Sequence, residues 1–298
     1  MKWEGNRESD NVEDVRGSEG GGGGGGGFGI GGKSIGIGTI VIALIGSYFF
    51  GIDPSVLLGG SVGGGSAPRV QSQGPAAAPV HSAADDRQVK FVKTVLADTE
   101  DVWTAIFQAA GKTYVKPKLD IFSGRVRTAC GTGQSASGPF YCPGDQKVYI
   151  DLAFYQLMEQ RFHVAGDFAK AYVIAHEVGH HVQNLLGITA KMDAARQSAT
   201  EVQANALSVR LELQADCFAG VWANHANQAR SILESGDVDA ALAAATAIGD
   251  DTLQRQAQGT VVPDSFTHGS SAQRVRWFKR GIDSGKVGEC DTFRARQL

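Results

Sequence analysis

Apolar positions recur along this 298-residue chain in patterns that change with position. Between Val89 and Ala110 they fall at helical intervals (Val89, Val92, Val95, Leu96, Val102, Trp103, Ile106), which predicts an amphipathic helix. Lys147-Val-Tyr-Ile-Asp151-Leu152 alternates instead and is rich in β-formers, so it predicts a strand. An apolar-rich run from Phe168 to Ala175 predicts a buried helix, with Asp167 as its N-cap and Gly187 as its stop. Further on, Leu211, Leu213, Cys217, Phe218, Val221 and Trp222 describe a helix apolar on most sides. Another helix is predicted to begin near Ser271 and to run through Arg274, Trp277 and Phe278.

The stretch Ile35–Ile52 is continuous rather than periodic and carries no charge, close to the minimum length for a bilayer-spanning helix. It predicts a membrane anchor. A cleaved signal peptide is the competing reading, but thirty-odd residues precede the stretch and no clear Ala-x-Ala site follows it. Lys2, Arg7, Arg16 and Lys33 lie before it and the next basic residue is Arg69, so the positive-inside rule places residues 1–34 in the cytoplasm and the bulk outside, in the periplasm. Residues 53–84, rich in Gly, Ser, Ala and Pro, read as a flexible linker, which leaves 85–298 as the folded domain. Within the glycine-rich tail, Gly27 to Ser34 formally matches the phosphate-binding pattern G-x-x-x-x-G-K-S. It lacks the preceding strand and following helix that a nucleotide site requires, so it is rejected.

Charge and cysteines narrow the classes further. The net charge of −3, with no basic block, gives no reason to expect nucleic acid as a partner. All four cysteines follow residue 84, as expected of an oxidising compartment. Cys130 and Cys142 bracket a short Gly-Ser-rich loop, leaving Cys217 and Cys290 to pair, although four cysteines permit three connectivities.

The strongest chemical signal is His176-Glu177-Val-Gly-His180. On a helix the two histidines share one face and can reach one zinc ion about 2.0–2.1 Å away. Glu177, about 100° around the axis, is placed to take a proton from the attacking water as general base. A catalytic zinc needs a third ligand. The extension His-x-x-Gly-x-x-His fails at Gln183 and Leu186, whereas Glu212 and Asp216 lie four apart on an otherwise apolar helix, where unpartnered carboxylates would be costly. Glu212 is the expected third ligand, with Asp216 accepting the N–H of a ligating imidazole. Ala215, Ala219 and Ala223, with Gly179 between the histidines, would let the two helices approach closely. His181 points away from the ligand face and is expected to pack or to support the ligands from behind.

His-Glu-x-x-His followed by Glu-x-x-x-Asp resembles the gluzincin type of zinc peptidase. More closely, Arg127 to Gly131, Ser137 to Pro143, Val148 to Asp151, Gly166 to Phe168, His176 to Gln183, Ser208 to Cys217 and Phe266 to Ser271 are similar to a bacterial family of neutral zinc metallopeptidases. The resemblance spans about Asp86 to Cys290. It implies an α+β, mainly helical zincin-like domain with a small sheet, here preceded by one transmembrane helix, holding Zn2+ and hydrolysing a peptide or protein substrate. In such domains a strand like Lys147–Leu152 lies exposed at the cleft edge and takes up an extended peptide. A loop histidine such as His268 can there stabilise the oxyanion, although a purely structural role competes. Two other functions fit the same residues: a non-catalytic envelope adaptor, against which the intact Glu177 argues, and a zinc amidase acting on a cell-wall linkage.

Overall fold

The computed structural model of the chain describes residues 1–17, 83–135 and 138–298. The first helix, α1 (Ala83–Ala109), covers the predicted periodic run and buries Val92, Val95, Leu96 and Trp103. The described residues include six short strands: β1 (Val12–Asp14), β2 (Lys118–Phe122), β3 (Arg125–Thr128), β4 (Gly131–Gln134), β5 (Phe140–Cys142) and β6 (Lys147–Asp151). Four of them form one sheet in the order β1-β2-β6-β5. β1, β2 and β6 run parallel, and β5 runs antiparallel to β6. The hairpin β3–β4 stands as a separate two-stranded sheet.

Beyond the sheet the fold is helical: α2 (Ala153–Gln160), α3 (Asp167–Leu185), α4 (Ile188–Arg196), α5 (Glu201–Arg230), α6 (Asp237–Ala247), α7 (Asp250–Gln258) and α8 (Ser271–Ser284). α3 is apolar on nearly all sides because it is buried on nearly all sides, as a central helix must be. It lies against α1, α5, α6 and the sheet, with Phe168, Tyr172, Ile174 and Val178 in the core. α5 crosses it closely. A Cβ on Gly179 would stand 3.0 Å from the Ala215 carbonyl oxygen, so the missing side chain sets the spacing, as the small-residue face predicted. α5 and α8 meet still more tightly, since a Cβ on Gly281 would fall 2.0 Å from the Cys217 oxygen. Capping boxes at Thr200/Gln203 and Ser270/Gln273 fix the starts of α5 and α8. Disulfides join Cys130 to Cys142 and Cys217 to Cys290, the pairing expected from their spacing.

Three expectations need correction. The strand Lys147–Asp151 forms, but it lies inside the sheet between β2 and β5. Its backbone is paired on both sides, and among the described residues the edges of the sheet are β1 and β5. Asp167 is the first residue of α3 rather than its cap. Gly166 occupies the cap at φ 108°, a backbone that glycine adopts without strain, and the Asp167 carboxylate instead accepts the Trp3 indole N–H at 2.7 Å. Third, the chain's first residues are no loose tail. Residues 12–14 are a strand of the main sheet, and Trp3 lies in the core, 5% exposed. The anchor expected at 35–52, the glycine tract and nearly all of the 53–84 linker lie outside the described residues. Among the described residues no helix is long and apolar enough to cross a membrane.

Candidate metal centre

Helix α3 carries His176, Glu177 and His180, and α5, crossing it at Gly179, brings Glu212 and Asp216 alongside. The two imidazole rings stand nearly perpendicular, their centroids 4.8 Å apart. Each is oriented through Nδ1: His176 donates to Asp216 Oδ1 at 2.8 Å, and His180 to Gln183 Oε1 at 2.9 Å. Both Nε2 atoms are thereby aimed at Glu212, at 3.1 and 3.5 Å from its Oε2. One ligand atom from each of His176, His180 and Glu212 lies within 4.8 Å of the other two. Ligands about 2.0–2.1 Å from one tetrahedral ion stand roughly 3.3 Å apart, so this two-imidazole, one-carboxylate set fits zinc and leaves a fourth position for chemistry.

The groups behind the ligands form a fully bonded network. Asp216 is buried completely and accepts from His176, from the Tyr172 hydroxyl at 2.5 Å, and from Arg274 through Nε and Nη2, both at 2.9 Å. Burial alone would raise its pKa, but the Arg274 and His176 charges outweigh this and hold it at about 2. Burial would lower the pKa of His176, yet the adjacent Asp216 carboxylate pushes it up to about 10. The same contest, decided by Glu212, raises His180, while the two histidines hold Glu212 well below the usual carboxylate range despite its burial. Gln183 extends the support to α5 by donating to the Leu211 carbonyl at 2.7 Å. Both imidazoles therefore carry the outer hydrogen bond that fixes tautomer and orientation in metal sites.

Glu177 lies beside the ligands, 8% exposed, at the wall of a cavity of about 530 Å³. Burial raises its pKa above the ordinary value, a shift only partly offset by His176 and His180. The cavity is walled mainly by apolar groups, among them Phe140, Tyr141, Phe154, Leu157, Phe162 and Leu253. His268 reaches it from the loop between α7 and α8. That loop is pinned by Asp250, whose Oδ2 accepts the backbone N–H groups of Thr267, His268 and Gly269 and whose Oδ1 faces His268 Nδ1 at 3.2 Å. Burial would lower the pKa of His268, but Asp250 and the Glu212 charge raise it.

All six residues singled out from the sequence are thus brought to one cavity or directly behind it. His181 points elsewhere, as expected, and ties α3 to Tyr141 and to the Val115 carbonyl. Sequence reasoning missed Tyr172, Gln183, Asp250 and Arg274. The first two carry a readable signal, one turn before His176 and one turn after His180 on the same helix. The other two come from distant segments and carry none.

The chain is a mainly helical α+β body in which a His-Glu-x-x-His helix is crossed by a Glu-x-x-x-Asp helix, bringing a candidate metal-binding set together. Comparison with known proteins narrows the class: the chain belongs to the family described as "Putative neutral zinc metallopeptidase", which it matches over residues 1–293. It is 52% identical over 294 residues to "Uncharacterized protein YpfJ" of Escherichia coli (strain K12), covering 98% of this chain and 99% of that protein. It is 42% identical over 219 residues to "Uncharacterized protein Rv2575" of Mycobacterium tuberculosis, covering 70% of this chain and 73% of that protein. No solved structure matches.

Proposed function

We propose that the protein is a zinc-dependent peptidase that hydrolyses peptide bonds in the cavity beside His176, His180 and Glu212. The observation that carries this reading is the convergence of two oriented imidazoles and a carboxylate next to Glu177, whose pKa is raised by burial and which makes no hydrogen bond among the described residues. A structural metal site has no use for such a neighbour. His176, His180 and Glu212 would hold the zinc, which would supply Lewis acidity.

The chain's own groups do the rest. Glu177 accepts the proton of the attacking water and returns it to the leaving amine. His268, steadied by Asp250 and lining the cavity, donates to the oxyanion. Among the described residues β5 is paired on one side only, and Phe140 and Tyr141 line the cavity, so an extended substrate adds to β5, main chain to main chain. The apolar walls favour bulky apolar side chains next to the scissile bond. Two disulfides support work outside the cytoplasm, and the apolar stretch 35–52 supports attachment to a membrane.

The test is a mixed peptide library exposed to the full-length protein before chelation, after chelation and after zinc is returned. Cleavage that follows zinc and concentrates at apolar residues is expected. A protein that holds zinc and cleaves nothing contradicts the proposal.

A further inference from the structure

The positive-inside reading divides the molecule at residues 35–52, with the first residues on one side of a membrane and the metal site on the other. The packing of residues 1–17 does not allow that division. β1 is hydrogen-bonded in register with β2, Val12 opposite Leu119, Glu13 opposite Asp120 and Asp14 opposite Ile121. On either side of it the Ser9 amide donates to the Lys93 carbonyl at 3.0 Å and the Val15 amide to the Ile121 carbonyl at 2.9 Å.

Side chains bind the segment as well as the ladder does. Glu100, in the middle of α1, is fully buried. Its Oε1 accepts from Ser9 Oγ at 2.6 Å and Asn11 Nδ2 at 2.7 Å, and its Oε2 from Arg7 Nη2 at 3.0 Å, with Lys116 Nζ at 3.4 Å. Three of these four partners belong to the first eleven residues. Without them the body would hold a buried carboxylate with a single partner, an arrangement that folded proteins avoid. Trp3 is equally committed: its ring meets Phe91 edge-on at 5.3 Å, the Arg87 guanidinium lies over it, and its N–H bonds Asp167, the first residue of the helix that carries the metal ligands.

We infer that residues 1–17 are an integral strap of the metal-site body and lie with it on one face of any membrane. The folded unit takes in residues 1–17 as well as the domain expected at 85–298. This inference does not depend on catalysis.

The test uses the full chain in right-side-out membrane vesicles and in intact cells. Glu13→Cys and Lys118→Cys replace an exposed ion pair whose charged atoms stand 3.0 Å apart. Labelling each single variant with a membrane-impermeant maleimide is expected to give the same sidedness for both. The double variant is expected to form an intrachain cross-link with a short bismaleimide. Arg7→Cys with Asp101→Cys, an ion pair at 2.7 Å, repeats the measurement if the first pair misfolds. Opposite sidedness, or shared sidedness with no cross-link in either pair, overturns the inference.

Discussion

At the residue scale the centre is defined by which nitrogen faces the ion. Nδ1 of each ligating histidine is engaged by Asp216 or Gln183, and only Nε2 is free to coordinate. Substituting Glu177 by Ala leaves these bonds untouched, so zinc content is expected to persist while kcat falls about 10²–10⁴-fold, the usual contribution of a general base. Asp216→Asn removes the charge that orients His176 and holds Arg274. A loss of about 10–100-fold in zinc affinity, read by competition with a chromophoric chelator, is expected. His176, pushed up to about 10 without metal, carries a proton at neutral pH that zinc must displace. Zinc binding is therefore expected to release about one proton near pH 7 and to tighten as pH rises, measurable by calorimetry in buffers of different ionisation enthalpy. Binding without proton release would show that the imidazole is already neutral. Most of this was legible in the sequence, because a four-residue spacing on a helix fixes a shared face. Arg274 was not, since it lies 58 positions from the carboxylate it holds and nothing local marks it.

At the element scale the site depends on how closely α3, α5 and α8 approach. Gly179 and Gly281 are the contact points, and a methyl group at either would meet backbone. Gly281→Ala, whose Cβ would overlap the Cys217 carbonyl, is expected to cost about 1–3 kcal/mol or more and to lower the thermal midpoint accordingly. An unchanged midpoint would mean that the two helices can part without loss. Helices were the more legible elements: periodicity placed α1, α3 and α8, and the resemblance implied a small sheet beside them. What alternation at Lys147–Asp151 could not reveal was neighbour order. A strand with one buried face and a strand buried in the middle of a sheet read alike until their partners are known, and so β6 was expected at the edge that β5 occupies.

Across the whole molecule, sequence reading failed where polar residues do structural work. Residues 1–17 are rich in charge and lack a long periodic run, so they resemble a tail. Their polar groups are spent on Glu100 and the sheet. Burial would raise the pKa of Glu100, but bonds from Ser9, Asn11 and Arg7 and the Lys116 charge hold it below its ordinary 4.5. A carboxylate depressed in the folded state stabilises above its unfolded pKa, and that contribution disappears as pH falls through the folded value. The urea midpoint is expected to fall steeply below pH 4.5 in the wild type and less steeply in Glu100→Gln; equal slopes would show that the strap's bonds carry no net stability.

The central claim is that this chain hydrolyses peptide bonds with zinc held by His176, His180 and Glu212. The most direct measurement is zinc stoichiometry and peptide cleavage, made in parallel on the full-length protein, Glu177→Ala and Glu212→Ala. One zinc per chain with cleavage in the wild type, one zinc without cleavage in Glu177→Ala, and neither in Glu212→Ala is the predicted result. Cleavage that survives Glu177→Ala, or a wild type that binds no zinc, would contradict the account.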